Sequence, residues 1–157
     1  MKYTLSLVIA GFFASVAALP AAAQQAADEA ENIGPMDVVE LNLNDFLWEK
    51  RPIVVFADTE RDPAFIRQLD LLEARSDALQ SRDVVILTDT NPAELSPLRE
   101  KLRPRGFMLV LIGKDGGVKL RKPFPWSVRE LSRAIDKMPL RQQELRDARD
   151  AQSALSE

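Results

Sequence analysis

The chain contains no cysteine and no histidine among its 157 residues. The first absence excludes disulfides, thiolate nucleophiles, iron–sulfur clusters and Cys-type zinc sites. Thiol–disulfide oxidoreductase chemistry is excluded with them. The second absence excludes Ser–His and Cys–His pairs and His-ligated metals. Aromatic residues are scarce at 6%, and they do not interleave with basic residues as nucleic-acid binders require, so no nucleic-acid partner is expected. After Leu19 no segment is apolar enough to span a bilayer. What is present, 46% hydrophobic and 29% charged residues, fits one small globular domain.

Residues 1–23 read as an address. Lys2 supplies a basic start, Leu5 to Leu19 an apolar stretch, Pro20 a break, and Ala21-Ala22-Ala23 the small residues of a processing site. The stretch is shorter than the about 20 residues that cross a membrane. A secretory signal cleaved between Ala23 and Gln24 is expected, hence a periplasmic or secreted protein. Residues 24–35, rich in Ala, Gln and acid, read as a flexible lead.

From Met36 the pattern Met-Asp-Val-Val-Glu-Leu-Asn-Leu alternates as a short strand does, and Asn44 reads as the cap of a single helical turn. Ile53-Val54-Val55-Phe56-Ala57 is a strand buried on both faces. Asp62-Pro63 starts a helix expected to run to about Gln80, with Phe65, Ile66, Leu69, Leu72 and Leu79 on one stripe. Val84 to Leu87 is a second buried strand. A helix from Ala93 to about Leu102 follows, with Leu95, Leu98 and Leu102 inward. Phe107 to Ile112 is a third buried strand. Lys114-Asp115-Gly116-Gly117 predicts a primed hairpin turn, and Val118 to Lys122 an edge strand. A helix led by Trp126-Ser127 carries Val128, Leu131, Ile135 and Met138 inward and is expected to end at Pro139. Residues 139–157 are a polar tail, either a docked or a solvated helix. Trp48 and Trp126 are expected as core or lid aromatics.

Two β-α-β crossovers feeding an antiparallel hairpin give an α/β domain over residues 36–138. The class is thioredoxin-like and three-layered, a central mixed sheet of four to five strands with helices on both faces. Arg105-Gly106-Phe107 through Gly113-Lys114-Asp115-Gly116 resembles the thioredoxin stretch that runs from an Arg-Gly pair through a cis-proline and an apolar strand to a turn. Met108 stands in the proline's place. Asp58-Thr59-Glu60-Arg61-Asp62-Pro63 stands where thioredoxins carry Cys-x-x-Cys. Leu43-Asn44-Asp45-Phe46-Leu47-Trp48-Glu49-Lys50-Arg51-Pro52, the loop leading to Asp62-Pro63, and Gly113 through Arg121 are together similar to a domain-of-unknown-function family of exported bacterial proteins. That family is related to domains in secreted matrix proteins with sushi repeats or coiled coils. The resemblance implies the thioredoxin-like fold and supplies no functional residues.

Ligands of open α/β sheets bind beyond the carboxyl ends of the strands. Here that rim is Asp58, Thr59, Glu60, Arg61, Asp89 and Arg105. Asp58, Glu60, Asp62 and Asp89 supply hard oxygen donors, but their spacing matches no calcium loop, and Asp at helix caps and turns is ordinary. No metal and no cofactor is expected. Arg61 with the amides that open the long helix is an anion site in which Asp62 competes. Charge is segregated along the chain: residues 24–98 carry 6 basic and 16 acidic side chains, whereas residues 99–141 carry 12 and 4. Lys119, Arg121, Lys122, Arg129 and Arg133 would form a basic face toward an acidic protein or a polyanion. The expectation is an exported binding or adaptor domain without redox chemistry. Its rivals are an enzyme using Asp58, Glu60 and Asp89, and a structural module that binds an acidic partner through the basic face.

Overall fold

The computed structural model describes residues 36–37 and 42–155. The expected signal 1–23, the lead 24–35 and the middle of the first expected strand, 38–41, lie outside the described residues. Strand β1 is Met36–Asp37, and Leu43–Phe46 forms a 3-10 turn. Strand β2, Arg51–Phe56, is followed by helices α1, Pro63–Glu73, and α2, Ser76–Gln80. Strand β3, Val84–Asp89, and helix α3, Pro97–Leu102, come next. Strands β4, Met108–Ile112, and β5, Val118–Lys122, form a hairpin, and helices α4, Val128–Asp136, and α5, Pro139–Ala154, close the chain.

The five strands lie in the order β1-β3-β2-β4-β5. β2 runs parallel to β3, with Ile53 opposite Ile86, and antiparallel to β4, with Val54 opposite Val110. The second crossover expected from the sequence is therefore not a parallel one. Six-residue α3, about 9 Å long, leaves the chain at the sheet end where β3 stopped, so β4 must run back. The period-2 alternation of the strands feeds two cores. Ile53, Val55, Ile86, Leu109 and Leu111 face Phe65, Leu72, Leu79, Val128, Leu131 and Ile135 of α1, α2 and α4. Val54, Phe56, Leu87, Val110 and Ile112 face Leu43, Leu98 and Leu102 of the 3-10 turn and α3. Each side chain fully buried this way contributes about 1.5–3 kcal/mol.

Element boundaries differ from the sequence pattern for local reasons. The first turn is capped by Asn42, whose Oδ1 accepts from Asn44 N–H at 3.0 Å, rather than by Asn44. The long helix breaks at Ala74-Arg75, because Ser76 occupies the place where the inward stripe needs an apolar residue. α3 starts late: Pro97 disfavours a helical Ser96, whose Oγ instead caps the helix by accepting from Arg99 N–H at 3.1 Å. Leu95 is left outside and exposed. The hairpin holds a single left-handed residue, Gly116 at φ 73°, so the turn is not the primed type. A Cβ there would stand 2.8 Å from Leu47 Cδ2. Ser127 and Glu130 form a reciprocal capping box at α4. Pro139 sits at the first turn of α5, where its missing N–H costs nothing. Buried Gln68 of α1 clips the approach to α4, accepting from Trp126 N–H at 2.7 Å and donating to its carbonyl at 3.1 Å.

Candidate functional site

Phe56 pairs with Asp89 on one side and Met108 on the other, so the ends of β2 and β3 and the start of β4 share one rim. Asp58, Thr59, Glu60 and Arg61 are exposed there, as is Arg105. The loop is held by local bonds: Asp62 N–H to Thr59 O at 3.1 Å and Arg61 N–H to Thr59 Oγ1 at 3.3 Å. Asp62 Oδ1 accepts from Ala64 N–H at 2.8 Å and so occupies the opening of α1 where an anion would sit. Gly106 approaches Asp58; a Cβ on it would lie 3.9 Å from Asp58 Oδ2.

Asp89 does not belong to this exposed set. It is 4% exposed, and its two oxygens accept from Arg99 Nε at 2.7 Å and Ser96 Oγ at 2.6 Å. Arg99, 7% exposed, also donates to the carbonyls of Ala57 at 2.7 Å and Asp89 at 3.0 Å. Its guanidinium lies 5.5 Å from the centre of the Phe56 ring. The pair is a buried staple across the ends of β2 and β3, with its polar atoms satisfied internally. Asp89 is thus separated from Asp58 and Glu60 as a partner for acid–base work. Among the described residues no group of three or more acidic side chains is arranged to hold a metal ion.

The five basic residues grouped by sequence are divided by the sheet. Arg121 donates to Leu102 O at 2.5 Å, on the α3 side. Lys119 Nζ donates to Asp115 Oδ2 at 2.6 Å within the hairpin, a bond that holds the Asp115 carboxyl below its ordinary range. Lys122 lies on the other side, 4.5 Å from the Trp126 ring centre and 5.8 Å from that of Phe124. Arg129 and Arg133, one turn apart on α4, are joined by two arginines from the acidic half of the chain. Arg75, Arg82, Arg129 and Arg133 line a groove of about 440 Å³ together with Ala78, Val128, Ser132 and Asp136. Arg82 is committed: its Nε and Nη2 donate to the Asp136 carboxylate at 2.9 and 2.8 Å, and its Nη1 to Ala78 O at 2.7 Å. Among the described residues the guanidiniums of Arg75, Arg129 and Arg133 have neither hydrogen bond nor ion pair. Sequence reading missed Arg75 and Arg82 because a continuous helix would place Arg75 on its outer face. The polar Ser76 on the inward stripe was the available signal.

The opposite end of the sheet holds a second network that no motif announced. Arg51, 1% exposed, donates to Glu144 Oε1 at 2.8 Å and Arg82 O at 2.9 Å. Lys114 Nζ reaches Asp83 Oδ2 at 2.8 Å and Glu144 Oε1 at 3.0 Å, and Arg141 reaches Glu144 Oε2 at 3.1 Å. Burial pushes the Glu144 carboxyl up, but hydrogen bonds from Arg51, Lys114 and Arg141 outweigh it and hold the pKa at about 2. Two of the three segments that carry the family resemblance meet here: Trp48 N–H donates to Lys114 O at 2.7 Å, and Leu47 packs on Gly116. Trp48 is not a core residue. It is 67% exposed, held at φ 66°, and borders a groove of about 290 Å³ whose apolar wall is Met138, Pro139 and Leu140.

Three comparisons bear on this arrangement. The model of a domain of unknown function (DUF4174) matches residues 42–144, which span both networks and end on Glu144. Coiled-coil domain-containing protein 80 of Danio rerio is 31% identical over 133 aligned positions, covering 66% of this chain and 15% of that protein. The chain therefore spans only a small part of that relative's length. Among solved structures, a reduced 2-Cys peroxiredoxin of Plasmodium vivax superposes with a TM-score of 0.52 at 17% identity, covering 66% of this chain and 85% of that one. Chloroplastic thioredoxin z gives 0.51 at 20% identity, covering 66% and 92%. These likenesses establish the thioredoxin-like α/β fold and nothing about activity.

Proposed function

The chain belongs to the family of the domain of unknown function DUF4174, and from that premise we propose that it is an exported binding module that engages an acidic partner through the arginine-lined groove between α2 and α4. One observation carries this reading: the exposed side chains of Arg75, Arg129 and Arg133 line one concave surface, and none of the three has an ion-pair partner among the described residues, because the carboxylate that shares the groove, Asp136, is held by Arg82. Arg129 and Arg133 repel one another at i, i+4, and an external acidic group removes that repulsion. The N-terminal pattern at residues 1–23 supports export. The loop at Asp58–Pro63 retains the position of a redox pair without any sulfur, which supports binding rather than electron transfer as the task. A defined probe tests the reading. A polyglutamate peptide titrated calorimetrically binds the wild type with an affinity that falls as salt rises. Arg129→Glu/Arg133→Glu loses that binding. Equal affinity of the two proteins refutes the groove as the contact surface.

A further inference from the structure

We propose that the groove between α2 and α4 takes a phosphate group, specifically a phosphomonoester; this deepens the acidic-partner reading and rests on it. The donors suit a phosphate better than a carboxylate. A carboxylate accepts in one plane, and a single guanidinium fork can engage both of its oxygens. Arg75, Arg129 and Arg133 each bring an uncommitted fork to the groove, and several forks around one centre match a tetrahedral group with three terminal oxygens. Arg82 is held by Asp136 as a fixed wall of the groove and is not counted among the donors.

A second observation is independent of charge. The Ser132 hydroxyl oxygen is shielded from solvent and has no hydrogen-bond partner. A helical serine ordinarily turns back to the carbonyl four residues earlier, and buried polar atoms without partners are rare in folded proteins. Ser132 lies on α4 between Arg129 and Arg133 and lines the same groove. Its hydroxyl is the neutral donor that a phosphate oxygen would satisfy once the side chains that now cover it swing aside onto the ligand. The groove volume of about 440 Å³ leaves room for the phosphate and a small organic body.

A phosphomonoester reaches such a groove either as a soluble metabolite or as a lipid headgroup, and two probes separate these sources. The full chain is titrated with glycerol 3-phosphate, and separately with phosphatidylcholine vesicles containing phosphatidic acid, with phosphatidylserine vesicles as the charge control. Saturable binding of glycerol 3-phosphate, with shifts of the Nε–H resonances of Arg75, Arg129 and Arg133, supports the site and a soluble source. Binding only to phosphatidic acid vesicles, in excess of phosphatidylserine, supports the site and a lipid source. Arg129→Gln/Arg133→Gln weakens either by about tenfold or more. Ser132→Ala weakens it several-fold and leaves the polyglutamate affinity unchanged; this variant also serves if the arginine pair proves unable to fold. Sodium chloride of equal ionic strength producing the same resonance shifts overturns the proposal, as does an unaltered phosphate affinity in Ser132→Ala. If polyglutamate binds and neither phosphate probe does, the phosphate assignment falls and the acidic-partner reading stands. If nothing binds, both fall.

Discussion

Arg103 ends α3 at φ 48° and ψ 57°, a left-handed conformation in which an L side chain crowds its own carbonyl. Its side chain is exposed and makes no hydrogen bond among the described residues, so a glycine there relieves strain and forfeits little. Arg103→Gly is expected to raise stability by about 1 kcal/mol, read as a higher urea midpoint with unchanged slope. A fall in the midpoint would show that the Arg103 side chain contributes to the fold. Asp89 illustrates the limit of reading single residues. An Asp that ends a strand ahead of Thr-Asn-Pro is ordinary turn chemistry in sequence. Its burial under Arg99 follows from where α3 settles, a distance in space that local spacing does not encode. Trp48 shows a limit of the opposite kind: an aromatic at an element boundary suggested core or lid, and it stands 67% exposed at a left-handed φ of 66°, outside the core and at the edge of a groove.

At the scale of elements, the apolar centres of β2 through β4 were legible because the middle of a strand buried on both faces carries a run of apolar residues; the buried charged ends, Arg51 of β2 and Asp89 of β3, were not. α5 was not legible in this way. It buries no residue completely and is fastened by charge, with Glu144 between Arg51, Lys114 and Arg141. Its consequence is a pH dependence with a defined sign. The folded-state pKa of about 2 lies below the ordinary 4.5, so the contribution is complete above pH 4.5 and is lost as the pH falls toward 2. Allowing for partial solvent screening, it amounts to about 2 kcal/mol at neutral pH. Urea unfolding should therefore weaken between pH 5 and pH 2 in the wild type. Glu144→Gln should be less stable at pH 7 and should lose much of that slope. An identical slope in the variant would place the acid sensitivity elsewhere.

At the scale of the whole molecule, the segregation of charge along the chain was legible, and the grouping of the basic residues was not. Sequence placed Lys119, Arg121, Lys122, Arg129 and Arg133 on one face. The sheet sends Arg121 toward α3 and Lys122 toward Trp126, while the helix break returns Arg75 and Arg82 from the acidic half to meet Arg129 and Arg133. The proposed binding surface therefore lies at the seam between two helices rather than at the strand rim. Amide shift mapping of the full chain with a polyglutamate peptide tests that placement most directly. The account predicts perturbations at Arg75, Arg82 and residues 128–136. Shifts confined to Asp58–Asp62 and Arg105–Gly106, with α4 silent, would contradict it.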